Sequence, residues 1–133
     1  MNDSPVSRYL VLFRGTDWSL HLPPDEIRDI MERTNEWFDR LHRQGQAVGA
    51  HPLDSSGKTI SWQNGAVSDG PFVESKESIG GYLMLAADSF EEAMAVARQN
   101  PMIQHGLQVE VRPVAEECPV VKAALAHAAV SHV

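Results

Sequence analysis

The chain switches between strand-like and helix-like spacing of its apolar residues, and the switches divide it into elements. Tyr9-Leu10-Val11-Leu12-Phe13 is an unbroken apolar run closed by Arg14-Gly15, which predicts a strand. Pro23-Pro24-Asp25-Glu26 opens a long helix, because proline suits the first turn and acids favour the positive end of the helix dipole. Ile27, Ile30, Met31, Trp37, Phe38 and Leu41 fall on one helix face with Thr34 in the same stripe, and Gly45 is the natural residue to end it. The charged residues between them, Asp39 among them, read as a solvated surface rather than a binding patch. Residues 46–53 predict a second strand, which Pro52 marks as an edge or an ending. Asn64-Gly65 between residues 59–63 and 66–68 predicts a hairpin with a type I′ turn. Ile79–Ala87 is almost wholly apolar and predicts a strand covered on both faces. Asp88-Ser89 opens a second helix burying Phe90, Ala93, Met94 and Ala97, and Pro101 ends it at Asn100. After a short connector at residues 102–106, Leu107, Val109 and Val111 alternate with polar residues as in a half-buried strand.

This order is strand, helix, strand, inserted β-hairpin, strand, helix, strand. Without the hairpin it is the α+β, ferredoxin-like split βαβ plan, with both helices on one face of an antiparallel sheet. The other face is too apolar to be left wet, and a second identical sheet in a symmetric homodimer would cover it. Pro119 opens a tail helix with Val121, Ala124, Leu125 and Ala128 on one face, which needs a cover from the domain or a second subunit.

At 133 residues and 43% hydrophobic composition, the sequence is expected to form one domain over 1–133, with a core at about 8–114 and a tail at 115–133. The net charge of −7 and the lack of a Lys/Arg cluster argue against direct nucleic-acid binding. Cys118 is the only cysteine, so no intramolecular disulfide forms, which suits a cytoplasmic setting. Residues 1–7 lack the features of a signal peptide, and no apolar run approaches the roughly 18 residues of a membrane span.

One stretch carries a more specific signal. Asp69-Gly70-Pro71-Phe72 reads as a bend, Glu74, Lys76 and Glu77 crowd the chain after it, and Gly80-Gly81 removes two side chains where the apolar strand begins. Residues 69–82 resemble the signature of the DGPF branch of the YCII-related family, Asp-Gly-Pro-Phe-x-Glu-(Ser/Thr)-Lys-Glu-x-x-Gly-Gly-(Phe/Tyr), at every fixed position. The likeness runs from about Tyr9 to Val114. It implies a dimeric α+β barrel and supplies no reaction. Relatives in this branch are often encoded beside alternative sigma factors, which implies a regulatory accessory role. Better-studied members are thought to use a His–Asp pair. The matching positions here are Thr34 and Asn100, neither of which transfers protons near neutral pH.

The candidate ligand-binding residues are therefore Asp69, Phe72, Glu74, Lys76, Gly80 and Gly81. The candidate catalytic residues are Asp69, Lys76 and His51. A purely structural alternative has Asp69 capping its own turn and Lys76 fixing the loop through ion pairs. His51, between a strand and Pro52, is placed to face a cleft, whereas His42 reads as solvated on its charged helix. No pair of histidines has metal-ligand spacing, and no nucleotide or dinucleotide fingerprint occurs, so neither a metal nor a cofactor is expected. Three readings follow. The first is a homodimeric binder of a small anionic or phenolic molecule. The second is a lyase- or isomerase-like enzyme using Asp69 and Lys76. The third is an interaction module that recruits a partner through its tail.

Overall fold

The computed structural model describes residues 7–15, 17–71 and 79–131. Strand β1 (Ser7–Arg14) is followed by helix α1 (Pro24–Arg43), edge strand β2 (Ala47–Pro52), and hairpin strands β3 (Lys58–Gln63) and β4 (Ala66–Pro71). Strand β5 (Ile79–Ala87), helix α2 (Phe90–Ala97), a short 3-10 helix (Pro101–His105), strand β6 (Gln108–Pro113) and helix α3 (Pro119–Ser131) complete the order. The main sheet runs β2-β5-β1-β6, antiparallel throughout, and β3-β4 form a separate two-stranded ribbon. This is the expected ferredoxin-like α+β topology with the hairpin inserted between its second and third core strands.

The core forms where the helices cover one sheet face. Tyr9, Val11 and Phe13 of β1 and Leu83, Leu85 and Ala87 of β5 point into it, as the two-residue strand period requires. Helix α1 inserts Ile30, Thr34, Trp37 and Leu41, and α2 inserts Ala93, Val96 and Ala97. The Trp37 indole N–H donates to the Val96 carbonyl at 3.2 Å, tying the two helices together. Phe13, Trp37 and Phe38 meet edge to face, with Trp37 and Phe38 ring centres 4.8 Å apart. Helix α1 stops at Gly45, whose φ of 74° is the left-handed value glycine adopts freely. Helix α2 is capped by Ser89, which accepts the Glu92 N–H at 3.1 Å.

Several expectations are corrected. Asp69, Gly70 and Pro71 lie in strand β4, opposite Ile60, Thr59 and Lys58, rather than in a bend. Pro71 is tolerated because the ribbon has only two strands, so an imino nitrogen turned away from β3 forfeits no ladder bond. Strand β5 is buried on the helix face and, within the single chain, half-buried on the other, the face for which the sequence expects a second sheet. In α2 the buried stripe takes Val96, while Phe90 sits at the exposed end against Tyr9, with ring centres 6.1 Å apart. The connector after Asn100 is a 3-10 helix ended by Gly106 at φ 114°. The Asn64-Gly65 turn, with φ of 52° and 79°, is as expected. In the turn before β3, Asp54 accepts the backbone N–H and the hydroxyl of Ser56 at 3.0 and 3.1 Å, which holds its carboxyl below the usual value.

Candidate functional site

A cavity of about 740 Å³ opens between α1 and the β2–β5 edge of the sheet. Helix α1 supplies Met31, Thr34, Asn35, Phe38, Asp39 and His42. These positions repeat every three or four residues, so they form a stripe that shares Thr34 with the one buried in the core. Phe13 and Trp18 add aromatic surface, and Met102 and Leu107 close the end near the 3-10 helix. The sheet contributes Ala50, His51, Pro52, Gly80, Gly81 and Tyr82. Trp18 packs against the core and also lines the cavity. A mainly apolar wall with a few convergent polar groups is the usual make-up of a small-molecule site.

His51 and Tyr82 are directly opposite in the β2–β5 ladder. Their side chains bond at 2.8 Å between Nδ1 and the phenol oxygen. With the imidazole proton on Nε2, the Tyr82 hydroxyl donates to Nδ1; with it on Nδ1, the imidazole donates to the phenol. Strand alternation puts this pair on the sheet face turned away from the helices, and both residues nevertheless line the cavity at the sheet edge.

Gly81 is explained by close packing. A Cβ there would stand 3.2 Å from the His51 carbonyl oxygen, 3.4 Å from Pro52 Cα and 3.5 Å from the Phe13 ring. The missing side chain is therefore taken up by β2 and Phe13 rather than left as open room. Gly81→Ala must push β2 away from β5 and is expected to cost about 1–3 kcal/mol, the usual range for overpacking. Urea denaturation measures it, and an unchanged midpoint would contradict the tight approach.

The sequence-derived candidates separate. His51, Gly80 and Gly81 line the cavity. Asp69 lies on the ribbon, exposed and opposite Ile60, and is not among the lining residues. Phe72, Glu74 and Lys76 lie outside the described residues, as does Glu77. Thr34 and Asn100 are 1% and 2% exposed, and both serve the fold. The Thr34 hydroxyl donates to the Ile30 carbonyl at 2.8 Å, and Asn100 Oδ1 accepts the Met102 N–H at 2.8 Å, capping the 3-10 helix. Asn35, Asp39 and His42 were missed as cavity residues. Their spacing from Met31 and Phe38 is the signal that would have found them. Among the described residues, no three His, Cys, Asp or Glu side chains gather closely enough to hold a metal ion, and no helix is long and apolar enough to cross a membrane.

A split βαβ sheet with two helices on one face defines an α+β protein of ferredoxin-like fold, and a cavity lies beside its first helix. The YCII-related domain matches residues 7–117, and the chain belongs to that family. No curated protein matches it.

Proposed function

We propose that the protein is a homodimer that binds a small aromatic molecule bearing a hydroxyl group in the cavity beside α1. The observation that carries this reading is the wall itself. Phe13, Trp18 and Phe38 offer ring faces and edges, Met31 and Met102 adapt to shape, and the His51–Tyr82 pair lies at the border to exchange hydrogen bonds with a phenol. The lining includes no lysine or arginine among the described residues, which favours a phenol over a strongly anionic ligand. Binding, rather than family-type proton transfer, fits Thr34 and Asn100, because neither a hydroxyl nor an amide transfers protons near neutral pH, and the Thr34 hydroxyl and Asn100 Oδ1 bond to the Ile30 carbonyl and the Met102 N–H. The homodimer is supported by the half-buried outer face of the sheet, where Leu10, Met84 and Ala86 lie beside Tyr82.

The test is calorimetric titration of matched phenols and benzoates. Phenols are expected to bind more tightly. Tyr82→Phe is expected to weaken phenol binding by about tenfold, the worth of one hydrogen bond, without lowering the melting temperature appreciably. Equal affinity for wild type and Tyr82→Phe would remove the hydrogen-bonding part of the reading, and no binding of either series would remove the ligand class.

A further inference from the structure

The His51–Tyr82 bond of 2.8 Å has two proton arrangements, and each offers a ligand a different pair of groups. With Nδ1–H donating to the phenol oxygen, Nε2 is left as a proton acceptor and the Tyr82 hydroxyl as a donor. With the hydroxyl donating to Nδ1, Nε2 carries a proton and the phenol oxygen is the acceptor. Changing the first into the second takes a proton in at Nε2, passes one from Nδ1 to the phenol oxygen and releases one from the phenol. The pair keeps its charge throughout.

We propose that this pair is an acid–base relay that interconverts the keto and enol forms of a small aryl ketone in the cavity. The proposal deepens the binding reading and rests on it, because the enol is a hydroxyl compound carrying an aromatic ring. In the step, Nε2 takes the proton from the carbon between the ring and the carbonyl. The C–H electron pair becomes the C=C π bond, the carbonyl π pair moves onto oxygen, and that oxygen takes the Tyr82 proton. Nδ1 returns a proton to Tyr82. Atoms and electrons balance, and no oxidant, reductant or co-reactant enters. His51 is exposed, so exchange with water at the imidazole restores the first arrangement.

The surroundings favour transfer over binding alone. His51 and Tyr82 are cross-strand partners, and the tight approach of β2 to Gly81, 3.2 Å from its Cβ position to the His51 carbonyl oxygen, holds them in place. Pro52 further narrows the backbone range of His51. Imidazole is the side chain that takes and returns protons near neutral pH. The lining has no lysine or arginine among the described residues, so an enolate beside its aromatic wall would stay unneutralised. A relay that protonates the oxygen as the carbon loses its proton avoids that charge.

Deuterium uptake in heavy water, followed by proton NMR, tests this on the full chain with two neutral aryl ketones, 2-tetralone and phenylacetone. Wild type is expected to speed uptake at the carbon between ring and carbonyl well above the buffer rate. At saturating ketone, His51→Gln is expected to lower that rate by about 100-fold or more and Tyr82→Phe by about 100-fold, with melting temperatures unchanged. Saturation separates these losses from weaker binding. His127→Gln, on exposed α3 and outside the cavity, is expected to change nothing. The methyl shifts of Met31 and Met102 report binding in the same samples. Shifts without uptake overturn the relay and leave the binding reading standing. Neither shifts nor uptake also overturns the relay, and the phenol titration then judges the binding reading by itself. A saturating rate that survives His51→Gln or Tyr82→Phe overturns the role of the pair, as does an equal loss with His127→Gln.

Discussion

Trp37→Ala is expected to lower stability by about 3–5 kcal/mol, a large share of the roughly 5–15 kcal/mol that holds a domain folded. Trp37 is buried in the middle of α1, against Phe13 and Phe38. Its removal leaves a large cavity that rigid strands on one side and α2 on the other cannot close. It also deletes the indole N–H bond to the Val96 carbonyl that joins the two helices. Trp37→Phe separates these effects. It keeps most of the ring volume and loses the bond, so its expected cost is about 1–2 kcal/mol. Guanidinium denaturation of the three proteins measures both. Equal, small costs for Phe and Ala would show that the helix layer is not packed through Trp37.

Phe38→Ala is expected to weaken ligand binding by about 10- to 100-fold, the value of an aromatic surface no longer covered by the ligand. Phe38 faces two ways. One edge meets Trp37 and Phe13, and the rest lines the cavity. It is only half-buried, so the substitution is expected to reduce stability much less than Trp37→Ala. The ratio of the two losses is the informative quantity. A variant whose affinity falls while its melting temperature holds assigns Phe38 to the ligand. A variant whose stability falls with affinity unchanged assigns it to the core alone.

The elements were legible because their signals are local. The i, i+3, i+4 spacing from Ile27 to Leu41 specifies α1, and Asn64-Gly65 specifies a turn that only positive φ can close. Where the outcome depended on pairing, the local signal misled. Pro71 looks like a strand breaker until β4 proves to have one neighbour only. Val96 outranks Phe90 as a buried residue of α2 because the helix is buried at Ala93, Val96 and Ala97 and leaves its first residue at the exposed end.

The cavity was half legible for the same reason. His51, Gly80 and Gly81 stood out as unusual residues at a strand end, and they line it. Asn35, Asp39 and His42 did not, because their side chains lie among the solvated charges of α1 and only the tertiary placement of that helix gives them a shared role. The bond between His51 and Tyr82 depends on the β2–β5 register. An irregularity between Ala47 and Gly49 sets that register, and no sequence pattern announces it.

The central claim is that the cavity beside α1 takes a small hydroxylated aromatic molecule. The most direct test is a methyl NMR titration with methionine labelled. Met31 and Met102 line the cavity, whereas Met84 and Met94 do not. Adding a binding phenol is expected to shift Met31 and Met102 strongly through ring currents and to leave Met94, on α2, where it was. Shifts confined to Met84 or Met94, or no shift at saturating phenol, would contradict the account.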